Sequence, residues 1–173
     1  MQSAKIYLAE ALIQMLETTP IDEISVKDLT ARAGVSRMTY YRYFKEKKEI
    51  LQFYMQYLLD GFLKEEATHP FIFQSYEHIY HSFKYFERYK LFAKVLLATG
   101  MESVMLDALN SYTSQLSSFK RNDPNTMFAF YFYAGALYNV YLKWVQEDTK
   151  TPPEELARII YNTIKSYDKK DKI

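Results

Sequence analysis

No cysteine occurs in the 173 residues of this chain, which excludes a disulfide framework, thiolate catalysis and cysteine-ligated zinc. Glycine and proline are scarce, four and five residues. With few strand-like alternations between them, so few breakers point to an all-α chain. Neither charge dominates: 22 Lys and Arg stand against 21 Asp and Glu, so the chain as a whole makes no claim on a polyanion. The amino end lacks the small-residue cleavage site of a signal peptide, and a cytoplasmic protein is expected. What the chain has in quantity is hydrophobic side chains, 49% of the total, ample for a buried core.

Helical periodicity runs through most of the sequence. Ile6, Ala9, Leu12, Ile13 and Leu16 form one stripe, ended by Thr18 and Thr19 ahead of Pro20. Ser25, with Asp28 three residues on, reads as a capping box that opens a short second helix, stopped by Gly34. Ser36 caps a third helix to about Tyr43, and a longer fourth is expected from Lys47 to about Ala67, before a break at His69 and Pro70. Further helices are expected near 74–87, 89–98 and 102–119, with Gly100 between the last two. Asp123–Pro124 and Thr151–Pro152–Pro153–Glu154 read as the starts of two more, about 124–147 and 152–168. The expected organisation is a three-helix module over residues 1–46 and a C-terminal helical domain over 47–173, with the helix at 47–67 shared between them.

The charges are unevenly placed. Residues 25–48 carry Lys27, Arg32, Arg37, Arg42, Lys45, Lys47 and Lys48 against Asp28 and Glu46, which leaves 15 cations and 19 carboxylates elsewhere. One basic segment in an otherwise acidic chain suits a protein of which only that segment meets a polyanion. Two short helices joined by "AGVS" fit a helix-turn-helix, whose second helix enters the major groove of duplex DNA. Arg37, Thr39, Tyr41, Arg42 and Tyr43 offer hydrogen-bond donors on the second helix. Tyr40 and Phe44 are expected in the core, locking that helix onto helices one and four.

Residues 25–51, "SVKDLTARAGVSRMTYYRYFKEKKEIL", closely resemble the DNA-binding signature of the TetR family of bacterial transcription regulators. Ala33, Gly34, Val35, Ser36, Thr39, Tyr41, Tyr43, Phe44, Lys47 and Ile50 or Leu51 fall at the matching positions. The resemblance implies a DNA-binding module in helices one to three and a C-terminal domain for dimerisation and ligand sensing. It assigns Arg37, Thr39, Tyr41 and Arg42 to the major groove, and Ser36, Tyr43, Lys47 and Lys27 to the DNA surface, the first three as phosphate contacts. A lysine at the start of a helix also suits an anion on physical grounds, because free N–H groups and the macrodipole add to its charge. The chain departs from the pattern at Ser25, Leu29 and Tyr40. It departs again at Glu46, which stands where a short capping residue is common and leaves helix four less well capped.

Residues 127–145, "MFAFYFYAGALYNVYLKWV", are long enough to raise a membrane span. Asn139, Lys143, the tyrosine hydroxyls and the lack of a second such run argue against one, and no membrane partner is expected. A helix buried on two sides fits better, one face in its own core and the other on a second copy of the chain. Phe128, Phe132, Gly135, Asn139 and Leu142 recur at seam spacing, and Ala134, Gly135 and Ala136 would let another backbone come close. An ordinary core helix is the alternative. The family resemblance extends over 128–160, similar to the last two helices of family members, which pair as a four-helix bundle. It also suggests a Gram-positive subgroup that includes regulators of dihydroxyacetone kinase genes.

Tyr80, Phe83, Phe86, Tyr89, Met105 and Tyr112 either line an apolar ligand pocket or fill a solid core. His78 and His81, near Glu77, are expected on a solvated helix face, and no metal or cofactor is expected. An enzyme is not expected either, since no nucleophile elbow, phosphate loop or metal signature is present. The expected function is a homodimeric regulator of double-stranded DNA, a repressor answering to a small-molecule effector of unspecified identity. An activator, or a protein-binding coactivator of the same fold, is the alternative.

Overall fold

The computed structural model describes residues 2–68, 71–115 and 124–170. Among these are nine α-helices and no strand: α1 Gln2–Leu16, α2 Val26–Arg32, α3 Arg37–Tyr43, α4 Lys47–Thr68, α5 Tyr76–Glu87, α6 Lys90–Ala98, α7 Ser103–Gln115, α8 Pro124–Gln146 and α9 Pro153–Lys170. The expected break at His69–Pro70, the cap at Asp123 and the extension of α7 to 119 lie outside the described residues.

Local chemistry accounts for the first helices. Ser25 Oγ accepts from the Asp28 N–H at 3.0 Å and donates to the Asp28 carboxylate at 2.6 Å. The return arm of the expected capping box thus runs from hydroxyl to carboxylate, not from carboxylate to the Ser25 N–H. At the other end of α2 the Val35 N–H reaches the Thr30 carbonyl and the Gly34 N–H reaches that of Ala31, a Schellman closure. It needs a left-handed residue at its corner, and Gly34 has φ +66°. Ser36 then caps α3 by accepting from the Thr39 N–H at 3.0 Å.

The main core is continuous from one end of the chain to the middle. Leu8, Leu12 and Leu16 of α1, Leu29 of α2, Tyr40 and Phe44 at α3, and Ile50 and Leu51 of α4 are buried together. The same core continues along α4 through Tyr54, Leu58 and Phe62 to Phe92 and Leu96 of α6 and Val104 and Met105 of α7. A second cluster, built on Ile79, Phe83, Trp144 and Ala157, joins α5, α8 and α9. The α8–α9 turn places Asp148 and Thr149 at φ +58° and +55°. Lys94 pairs with Asp148 at 2.5 Å and Lys90 donates to Thr149 at 3.2 Å, so two α6 lysines hold that strained turn.

One crossing is unusually close. A Cβ on Gly61 would fall far inside contact distance of the Tyr85 phenol oxygen, which donates to the Leu58 carbonyl at 2.8 Å, whereas Tyr85 Cζ would stand at 3.6 Å. The hydroxyl, and not the ring, is therefore what requires glycine. Gly61→Ala should cost about 1–3 kcal/mol of stability by overpacking. Tyr85→Phe in the same chain should recover part of that loss, a coupling that denaturant unfolding of the two single variants and the double variant would measure.

Candidate nucleic-acid interface and inner cavity

The short α3 has one buried side and one open side. Tyr40 and Phe44 are sunk into the core, as expected, with the Tyr40 ring tilted 6.4 Å from that of Phe44 and Phe44 5.9 Å from Phe53. Their burial turns Arg37, Met38, Tyr41 and Arg42 outward, Met38 at 73% exposure and Tyr41 at 65%. Tyr40 meets the edge of the Tyr41 ring at 5.1 Å and so braces it from below. Lys27 on α2 and Lys45 and Lys48 near the start of α4 are also exposed. None of Lys27, Arg37, Arg42, Lys45 and Lys48 enters an ion pair among the described residues. The surface they make is cationic and spans α2, α3 and the start of α4.

The other candidates are more tied down. Ser36 and Thr39 hydrogen-bond each other through their hydroxyls at 2.9 Å. Tyr43 is half-buried, with the Lys5 ammonium 5.5 Å from its ring centre. Lys47 Nζ donates to the carbonyl of Ile24 at 2.7 Å and to that of Ile21, pinning the α1–α2 connection to the start of α4. Arg32 is held by Gln14 of α1 at 3.1 Å and 3.2 Å. The start of α4 is better closed than Glu46 suggests, because the Glu49 carboxylate accepts from the Lys45 N–H at 2.7 Å.

Helices α4 to α8 line a half-open cavity of about 90 Å³. Met55, Leu58, Leu59 and Phe62 of α4 form one wall, and Phe83, Phe86, Tyr89, Met105 and Tyr112 line it as well. No Lys, Arg, Asp or Glu is among its lining residues. At its edge lies a polar network drawn from four helices. His78 Nε2 sits 3.2 Å from Glu66 Oε1 and 3.2 Å from the Tyr112 oxygen, and Tyr112 donates to Glu66 Oε2 at 2.9 Å. The Tyr133 hydroxyl lies 3.5 Å from His78 Nδ1. Burial by itself would raise the Glu66 carboxyl, but hydrogen bonds from His78 and Tyr112 outweigh it and hold Glu66 below its ordinary value. Burial, then Glu66 itself, pushes the Tyr112 phenol up, so it stays a donor.

On the far side, α8 leaves Phe128 65% and Phe132 80% exposed, with Asn139 on the same seam donating to the Gly135 carbonyl at 2.8 Å. A Cβ on Gly135 would meet nothing within 4 Å. Leu142, the last seam position, packs partly against the main core. Ala134 is fully buried in its own domain, so the small-residue seam is narrower than expected. Among the described residues no helix is long and apolar enough to cross a membrane.

A family model described as "Bacterial regulatory proteins, tetR family" matches residues 8–52, and one described as "Transcriptional regulator C-terminal region" matches residues 74–166. The chain belongs to the TetR family. A curated relative, the uncharacterized HTH-type transcriptional regulator YxbF of Bacillus subtilis, is 21% identical over 185 residues; the match takes in 94% of this chain and 45% of YxbF, so the chain spans about half the length of that relative. Lin0861 from Listeria innocua shares the fold at a TM-score of 0.78 and 20% identity, over 96% of this chain and 91% of its own. The dihydroxyacetone kinase operon activator DhaS does so at 0.63 and 16%, over 95% of each chain. FadR from Bacillus subtilis, solved in complex with stearoyl-CoA, follows at 0.60 and 17%, over 91% and 95%.

Within this TetR-family fold three placements differ from the sequence-based expectation. Tyr80 does not line the cavity but donates to Glu154 of α9 at 3.1 Å, because α5 presents aromatic rings on two faces and only the Phe83–Phe86 side faces inward. His78 is 3% exposed and not on a solvated face, since its partners Glu66 and Tyr112 come from other helices. Met38 is the third: it stands 73% exposed on α3, which the sequence does not signal because a methionine advertises no hydrogen bond.

His78→Phe should take one hydrogen-bond donor from the half-buried Glu66 carboxylate, set an apolar ring beside it and destabilise the fold by about 2–4 kcal/mol near neutral pH. In the native chain Glu66 is depressed, so its contribution is present above the ordinary carboxylate range and fades as pH falls through the lowered value. Without His78 the Glu66 carboxylate keeps Tyr112 but loses its largest compensation for burial, so the variant should lose further stability as pH rises. Urea melts at pH 5 and pH 7 should show a larger deficit at pH 7, and adding Glu66→Gln should remove that difference.

Proposed function

We propose that this chain is a DNA-binding transcription regulator in the cytoplasm, a repressor that reads a pseudo-palindromic operator as a homodimer and leaves it when a small molecule fills the inner cavity. The observation that carries this reading is the open side of α3, where Arg37, Tyr41 and Arg42 stand exposed above the buried Tyr40 and Phe44, with neither arginine in an ion pair among the described residues. In this reading residues 1–46 are the reading head and residues 47–173 the sensing and pairing domain. Arg37, Thr39, Tyr41 and Arg42 meet the major groove, and Lys27, Ser36, Tyr43 and Lys47 the backbone; Lys47 keeps one donor for a phosphate while two hold the α1–α2 carbonyls.

The exposed rings of Phe128 and Phe132 support pairing of two chains along α8, with Gly135 allowing close approach and Asn139 and Leu142 continuing the seam. Two heads held about one DNA turn apart then engage two half-sites together. The effector that the cavity favours is uncharged and largely apolar, with at most one polar group to meet His78 or Tyr112, since no lining side chain compensates a charge. The stearoyl-CoA bound by a fold relative supports a lipophilic body; the phosphates of such a ligand have no partner in this lining. Because α4 is at once cavity wall and floor of the head, a ligand that prefers a displaced α4 lowers the population of the DNA-competent pair.

Binding of the full chain to duplex DNA recovered from its own upstream region should be strongly salt-dependent. Arg37→Ala with Arg42→Ala should weaken specific binding by at least about tenfold, each base-reading arginine being worth about 1–3 kcal/mol, and should flatten the salt dependence. Unchanged affinity in that double variant overturns the assignment of α3. Light scattering should give a dimer that Phe132→Glu converts to a monomer; a monomeric wild-type chain would remove the two-head mechanism.

A further inference from the structure

The outermost side chain of the proposed reading helix is apolar. Met38 lies two positions before Tyr40, about 160° away around the helix, and so points almost directly away from the buried side. Tyr41 and Arg42 flank it on either side of that outer ridge, and at 73% exposure it is left open by the described residues. A thioether standing free in water at the crest of a cationic surface gains nothing from the fold, because the core beneath is closed by Tyr40 and Phe44.

The geometry points to Met38 as a specificity-determining residue that reads the C5-methyl group of a thymine in the major groove. This rests on the DNA-binding reading proposed above. If α3 enters the groove with the side opposite Tyr40 foremost, Met38 reaches the base edges first. The floor of the groove presents donors and acceptors at every base pair, but its one apolar feature is the thymine methyl. Methionine suits that feature, since its unbranched, polarizable chain adapts to a methyl whose position shifts with local DNA shape. The exposed cations around it select the same occupant: Arg37 and Arg42 favour a polyanion over an apolar protein face.

The test separates this inference from the reading beneath it. A specific duplex is selected from random DNA with the full chain, and each thymine is replaced in turn by 2′-deoxyuridine, which removes only the methyl group. Wild-type affinity should fall about fourfold at one thymine per half-site, the worth of one buried methyl. Met38→Ala should bind the thymine and deoxyuridine duplexes equally at that position, Met38→Leu should restore the discrimination, and an unchanged thermal melt should confirm that the exposed site leaves the fold intact. If the selected duplex binds tightly and no thymine replacement matters, the Met38 inference is wrong while the DNA-binding reading stands. If a sensitive thymine remains equally sensitive in Met38→Ala, another side chain reads it and the inference again fails. If no sequence is selected at all, the DNA-binding reading falls and takes this one with it.

Discussion

Burial of Tyr40 and Phe44 between α1 and α4 is the constraint from which the functional surface follows. A helix of two turns has room for one packed side, and once those rings are in the core the opposite side has no choice but to face solvent. Arg37, Met38, Tyr41 and Arg42 are therefore presented together because of what lies beneath them, not because of any attraction among them. The Schellman closure at Gly34 and the Lys47 ammonium bridging two backbone carbonyls hold the preceding turns at the angle that this packing requires.

The same core runs without a gap along α4 into the C-terminal helices, so one helix serves two environments. Its first turns supply Ile50 and Leu51 to the head, and its middle supplies Met55, Leu58, Leu59 and Phe62 to the cavity wall. At its far end Glu66 enters the buried network with His78, Tyr112 and Tyr133, while Gly61 admits the Tyr85 hydroxyl to the α4 backbone. Satisfied hydrogen bonds in a low-dielectric surrounding are costly to break singly, so these polar attachments and the apolar packing together hold α4 in place.

What was legible in the sequence was local in its causes. Ser25 and Ser36 act within three residues of themselves, Gly34 sets its own backbone, and the apolar periods of α1 and α4 repeat every turn, so helices and their limits follow from neighbours along the chain. The recognition signature belongs to the same class, since its spacing is that of one short helix. The contacts that the sequence did not reveal share the opposite property. Lys47 finds its carbonyls 23 and 26 residues earlier, His78 meets a tyrosine 34 residues later, and Tyr80 reaches a glutamate 74 residues away. In a chain with 17 tyrosines and 12 phenylalanines, ring content alone does not say which side of α5 faces the cavity.

By itself the sequence determined the helical class, the turn that joins α2 to α3 and the kinship of the basic segment, because each depends on backbone preferences and on side chains within a turn of one another. Only the tertiary structure decided which of the basic residues stand free, that a methionine crowns α3, that Glu66 and His78 meet beneath the surface, and that the cavity wall is without charge. Those outcomes depend on how helices cross, and a crossing is chosen by the packing of all of them at once.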